Sequence, residues 1–148
     1  MTANMFGADW KIKMDSYLPD KAIVDLKYME SLTKLQWVRD LGYLDFVRYW
    51  GYDIQGAVYQ EVVYRNTGKR LPFYIAGISK EDEPNIEIIH VQDIFLREAL
   101  DMVESNMPHV LAVKNGLEEP IRCECCKYCR NTKVLKAPIG LADLSAAI

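Results

Sequence analysis

Asp15, Asp25 and Lys27 stand in the pattern Asp-x9-Asp-x-Lys, within KMDSYLPDKAIVDLK. Two carboxylates and an ammonium brought to one place can hold a divalent cation and turn a water onto a phosphodiester. Magnesium takes oxygen ligands and keeps several waters, so one or two carboxylates and a backbone carbonyl suffice to bind it. Leu26, between Asp25 and Lys27, can offer that carbonyl. The lysine can orient the attacking water or stabilise charge developing on the phosphate. The competing reading of the same residues is a surface hairpin with an i, i+2 ion pair, because exposed charges on strands are ordinary.

Whether the three meet depends on the elements that carry them. Trp10, Ile12 and Met14 alternate with Lys11, Lys13 and Asp15, the period of a half-buried strand. Leu18-Pro19-Asp20-Lys21 is a turn signal, with Pro19 suited to an early turn position. Ala22 to Met29 is expected as a second strand, with Ile23, Asp25 and Lys27 on one face because side chains repeat every two residues. A hairpin centred near Asp20 sets Asp15 opposite Asp25 and Lys13 opposite Lys27, with opposed Cβ atoms about 5 Å apart. Two carboxylates so placed repel each other unless a cation sits between them.

Residues 30–42 read as a linker with some helix. From Tyr43 to Arg65 the period is helical, with Phe46, Val47, Trp50, Ile54, Ala57, Val58 and Val62 in one apolar stripe. Gly68, after Asn66 and Thr67, is the expected C-terminal cap. Gln55 and Tyr59, four residues apart in GYDIQGAVY, share a helix face beside that stripe. From there they can reach a phosphate or a base. They can equally be a boundary pair with one wet edge, as is common for tyrosine. Residues 72–79 and 86–91 read as strands joined by a charged loop. Asp93 is placed to cap a helix running to about Asn106, before Pro108 interrupts it. Residues 109–121 continue as irregular helix. The order strand, strand, helix, strand, strand, helix predicts an α/β or α+β sheet with helices packed on it.

A strand carboxylate, then Asp-x-Lys on the next strand, then a helix bearing Gln-x3-Tyr resembles the PD-(D/E)XK nuclease superfamily, and within it the RecB-like branch. The phrases KIKMDSYLPDKAIVDLKYMES, GYDIQGAVYQEVV and LPFYIAGISKE are most similar to phage and prophage exonucleases of the RecE type, exodeoxyribonuclease VIII-like, over about residues 9–136. The resemblance implies a restriction-endonuclease-like mixed sheet core flanked by helices. It implies Asp15 and Asp25 as metal ligands with the Leu26 carbonyl, Lys27 as the catalytic lysine, and Gln55 and Tyr59 near the DNA. It further implies Mg²⁺ or Mn²⁺, hydrolysis at double-stranded DNA ends, resection that feeds a single-strand annealing protein, and a homo-oligomer. The chain departs from the family at Met14, where the superfamily's name has proline. The family core also begins with a helix and a first strand, and the helix is not found before Gly7. The chain is therefore expected to be an N-terminally truncated domain. The alternative is a catalytically inactive remnant that binds DNA or protein.

Cys123, Cys126 and Cys129 in RCECCKYCR have the spacing of a thiolate metal site, with Cys125 facing in or out. Zinc at such a site needs four ligands. By resemblance to RecB-like nucleases that hold an iron–sulfur cluster, three C-terminal cysteines would await a fourth far upstream. Reduced surface thiols are the bland alternative. His90 and His109 have no partner pattern, and packing or surface roles are expected for both.

Composition sets the remaining bounds. At 148 residues, 50% apolar and 11% aromatic, the chain can bury a core and forms one domain at most. It is expected to divide into a nuclease-like core over 1–121, a cysteine-rich basic segment over 122–136 and a tail over 137–148. The net charge of −3 makes no global case for nucleic acid. Residues 81–104 are acid-rich, whereas Arg122, Lys127, Arg130, Lys133 and Lys136 face only Glu124 in their segment. A local basic end can still touch phosphates. The start, MTANMFGADWK, has neither the basic nor the apolar block of a signal peptide, and no stretch reaches membrane-spanning length. With cysteines clustered rather than spread as a disulfide framework, the expected location is the cytoplasm, that of a bacterial host if phage-encoded.

Overall fold

The computed structural model describes residues 1–39, 41–124, 126–135 and 137–141. The chain divides into two compact units, Met1–Leu111 and Ala112–Ile148.

The first unit opens with a hairpin of β1 (Thr2–Met5) and β2 (Ala8–Lys11). Its two-residue loop, Phe6 and Gly7, has positive φ at both positions (53° and 78°). That is the geometry which matches the twist of the flanking strands. The main sheet has the order β3 (Ser16–Leu18), β4 (Ala22–Met29), β7 (Phe73–Ser79), β8 (Ile86–Val91). The pairs β3–β4 and β7–β8 are antiparallel, and β4–β7 is parallel. Parallel neighbours cannot be joined by a tight turn, so the chain must leave the sheet between them. It does so through a small hairpin, β5 (Gln36–Val38) and β6 (Gly42–Leu44), then α1 (Phe46–Tyr49) and α2 (Tyr52–Thr67).

One face of the sheet carries the core. Ile23, Phe73, Ile75 and Val91 point to the same side and are buried against Ala57, Val58, Val62 and Val63 of α2 and Leu96 of α3 (Asp93–Lys114). Gly56 allows the close approach of α2 to the sheet: a Cβ there would lie 2.4 and 2.5 Å from ring carbons of Phe73. Gly68 ends α2 in the left-handed conformation, its N–H donating to the Tyr64 carbonyl at 2.7 Å, as its place in the sequence predicts.

Five expectations are corrected. The strand expected over Trp10 to Met14 is absent. Trp10 and Lys11 end β2, which pairs with the N-terminal residues, and the strand beside β4 starts only at Ser16. Lys13 is thus not laid against Lys27 in the sheet. Residues 30–42 are no helical linker but contribute β5 and the start of β6, closed by an edge-on contact of Trp37 with Tyr43 at 5.2 Å. The helix expected from Tyr43 starts at Phe46 and breaks at Trp50–Gly51, because Gly51 takes φ 69° and restarts the chain as α2. Asp45 caps the first piece by accepting from the Arg48 N–H. Finally, α3 runs through Pro108 to Lys114. Proline removes one ladder bond but does not end a helix whose flanking turns are held. Asp93 lies in the first turn of α3, and its carboxylate accepts from the Gln60 amide rather than capping the end.

The second unit contains α4 (Lys127–Asn131), capped by Cys126, whose sulfur accepts from the Cys129 N–H. Among the described residues no helix is long and apolar enough to cross a membrane.

Candidate active site

The turn at Leu18–Lys21 sets the site's register. Lys21 N–H donates to the Leu18 carbonyl at 3.0 Å, and Asp20 takes the left-handed φ of 62° that Asp tolerates better than most residues. The resulting pairs are Ser16 with Val24, Tyr17 with Ile23 and Leu18 with Ala22. One step further along this register Asp15 faces Asp25, just where β3 has stopped and the edge of β4 is open. Asp15 turns to that edge, and its Oδ2 accepts from the Leu26 N–H at 2.9 Å. In an extended strand a residue's N–H and C=O point to the same side. The Leu26 carbonyl therefore projects from the edge that Asp15 occupies.

Asp25 lies on the core face and is 2% exposed. Its Oδ1 accepts from the Gln55 amide at 2.7 Å, and its Oδ2 is ion-paired with Lys27. That second oxygen is fully buried, and Lys27 is its one partner among the described residues. Burial is the largest influence on Asp25 and raises its pKa above the ordinary carboxylate range, with a further push from the Asp15 charge. Lys27 and Gln55 act in the opposite direction without cancelling the rise.

Gln55 joins the parts. Its carbonyl oxygen accepts from Lys27 Nζ at 3.0 Å, and its amide nitrogen donates to both Asp25 and the Tyr59 hydroxyl, the latter at 3.0 Å. The Tyr59 hydroxyl donates to the Lys13 carbonyl at 2.8 Å. Asp25, Lys27, Gln55 and Tyr59 thus form one bonded group between β4 and the facing side of α2, with Asp15 held beside it on the Leu26 N–H. Tyr52, which the sequence reading passed over, completes the surroundings of the lysine: Lys27 Nζ lies 4.2 Å from the centre of its ring. Its spacing held the signal, because Tyr52, Gln55 and Tyr59 follow one helix face at intervals of three and four.

The donor set suits a hard cation. Asp15, the buried Oδ2 of Asp25 and the Leu26 carbonyl are all oxygen donors, the kind that magnesium and manganese prefer. One lysine is the only cation paired with the buried Asp25 carboxylate among the described residues, and that lysine is shared with Gln55.

The cysteines are a separate centre within the second unit. The Sγ atoms of Cys123, Cys126 and Cys129 lie within 4.8 Å of one another, with Cys123 and Cys129 at 3.8 Å. A tetrahedral zinc with sulfur at about 2.3 Å sets its sulfurs about 3.8 Å apart. Two backbone N–H groups, of Cys126 and Cys129, donate to the sulfurs of Cys123 and Cys126 at 3.3 and 3.4 Å. Such donors favour thiolates. Burial, followed by bonding to the two neighbouring sulfurs, holds the Cys129 thiol above its ordinary range. The three thiols can hold a metal ion. Cys125 lies outside the described residues.

A mixed β-sheet with helices packed on the face that carries Asp-x-Lys is the PDDEXK-like nuclease fold. The chain belongs to the family described as PDDEXK-like domain of unknown function (DUF3799), whose pattern matches residues 1–132. It is 66% identical to a protein from Eubacterium rectale whose crystal structure is named "Putative exonuclease", with a TM-score of 0.89. The match covers 100% of this chain and 56% of that one. Curated proteins give no match.

Proposed function

We propose that this chain carries the catalytic centre of a metal-dependent DNA exonuclease of the RecE type. The observation that carries the proposal is Gln55, which ties Asp25, Lys27 and Tyr59 into one network beside Asp15. A hairpin with an incidental ion pair would not need a helix to contribute an amide to both partners.

In this reading Asp15, Asp25 and the Leu26 carbonyl hold Mg²⁺ or Mn²⁺. The bound metal supplies Lewis acidity and lowers the pKa of water. Lys27 points its ammonium at the attacking water or the phosphate, where positive charge is worth most in a site shielded from solvent. Gln55 and Tyr52 hold that ammonium in place. Tyr59 fixes the rotamer of Gln55 and ties it to the backbone at Lys13. No covalent intermediate is required, because the attacking group in this reading is water activated by the metal. The substrate is linear double-stranded DNA attacked from its ends, and the product strand would pass to a single-strand annealing protein in phage-type recombination. The name of the Eubacterium rectale protein agrees with this activity.

Incubation of the purified chain with linear duplex and with covalently closed circular DNA, each with Mg²⁺ and with EDTA, tests the reading. Mononucleotide release from the linear form alone, and only with Mg²⁺, is expected. Equal attack on the closed circle, or no attack on either, would overturn it.

A further inference from the structure

A cleft lies beside Lys27, sharing Tyr52 with it. It has a volume of about 260 Å³ and is lined by Tyr28, Lys34, Gln36, Trp50, Tyr52 and Lys80, among others. It lies where β4 and β7 end, with Tyr28 next to last in β4 and Lys80 immediately after β7. These two strands are parallel, and the carboxyl ends of parallel strands are where such sheets bind ligands. Tyr52 belongs to both places. Its ring covers Lys27 Nζ and also forms a wall of the cleft. What sits in the cleft is therefore next to the reacting phosphate.

The lining is aromatic and basic. Trp50 is 60% exposed and Tyr28 is 68% exposed, so both rings present themselves to solvent at the cleft. Trp50 is held edge-on by Tyr49, at 5.0 Å between ring centres, which fixes its plane without hiding it. Lys80 Nζ stands 5.0 Å from the centre of the Tyr28 ring. Lys34 is paired with Glu30, which also lines the cleft, so Lys80 is the cation available to an anion there. Exposed rings interleaved with a lysine at the rim of a groove are the equipment that binds single-stranded nucleic acid. Bases stack on the rings and the cation follows the backbone. Duplex DNA keeps its base faces stacked on one another and cannot use such a platform.

We propose that this cleft binds an unpaired nucleotide of the strand adjoining the scissile phosphate, its base against Trp50 and its phosphate at Lys80. The proposal deepens the nuclease reading and rests on it for the location of the scissile bond. It makes the enzyme one that acts on a frayed end rather than on an intact pair.

The test is fluorescence anisotropy with an end-labelled single strand of about eight nucleotides and a blunt duplex of equal length, both in EDTA. Trp50→Ala is expected to weaken single-strand binding about tenfold or more, the usual value of one stacked base. Trp50→Phe is expected to restore most of it. Lys80→Ala is expected to lower the salt slope by about 0.7, the loss of one phosphate contact on a single strand. Unchanged affinity in Trp50→Ala, a Phe variant no better than Ala, or a loss confined to the duplex would overturn the proposal. Trp50 is a surface residue, and circular dichroism verifies that the variants remain folded. Binding in EDTA is independent of hydrolysis, so the two readings fail separately. A chain that binds through Trp50 but never cuts refutes the nuclease. A chain that cuts but binds single strands without Trp50 refutes the cleft.

Discussion

Gly56→Ala tests how the site is held rather than the site itself. The new methyl would lie 2.4 and 2.5 Å from Cδ1 and Cε1 of Phe73 and 3.0 Å from Cδ2 of Leu96. Carbon atoms in ordinary contact stand about 3.5–4.0 Å apart, so something must move by about 1 Å. Phe73 is wholly buried and packs edge-on against Tyr59, and Leu96 is 1% exposed, so neither has free space to give. Overpacking of this kind costs about 1–3 kcal/mol. Alanine in mid-helix returns about 1 kcal/mol through lower unfolded-state entropy. The expected net is a loss of about 1 kcal/mol. The functional effect should be larger. If α2 lifts by about 1 Å, the 2.7 Å and 3.0 Å bonds of Gln55 to Asp25 and Lys27 stretch past useful length. Misplacement on that scale costs about 100-fold in rate. Urea unfolding and initial rates of nucleotide release measure the two effects. A variant stabilised by the full helix-propensity gain, with an unchanged rate, would refute the reasoning.

Three further outcomes follow from the same geometry. Asp25 binds its proton more tightly folded than unfolded, so its contribution favours folding below the unfolded value of about 3.9 and is lost as pH rises through the folded value. Asp25→Asn should therefore melt higher than wild type near neutral pH without divalent metal, with the gap closing toward about pH 3; a lower melting temperature near neutrality contradicts this. Gln55→Leu removes a charge-assisted bond to buried Asp25 and should cost about 2 kcal/mol in chemical denaturation, with turnover falling more than substrate affinity; a drop in affinity alone would assign Gln55 to DNA binding. The chain purified without chelators should contain zinc, or iron with visible absorbance, and Cys126→Ser should lose it; elemental analysis that finds neither metal in wild type leaves the cysteines as plain thiols.

Much of the site was legible because its rules are local. The two-residue period of β4 set Ile23, Asp25 and Lys27 on one face, and the four-residue step of α2 set Gln55 beside Tyr59. The turn at Asp20 was readable too, and it fixed Asp15 against Asp25 from the eleven residues between and including them. What was not legible depended on partners distant in the chain. Trp10 alternates like a strand beside β4, but Thr2–Met5 takes its edge instead. Gly51 splits a continuous apolar stripe because a single left-handed residue outweighs periodicity on either side. Pro108 remains inside α3 because a long helix tolerates one missing bond. Tyr52 was overlooked because its role is to cover Lys27, twenty-five positions earlier; its three- and four-residue spacing with Gln55 and Tyr59 marks the helix face but not that contact.

The central claim is that Lys27, held by Asp25, Gln55 and Tyr52, performs chemistry on DNA. The most direct measurement is nucleotide release from linear duplex DNA with Mg²⁺ by wild type and Lys27→Ala, with equal folding verified by circular dichroism. Release by wild type, abolished by EDTA and reduced by about 100-fold or more in Lys27→Ala, is predicted, in line with the loss of one charge-stabilising group. A variant as active as wild type, or a wild-type chain that releases nothing with Mg²⁺, would contradict it.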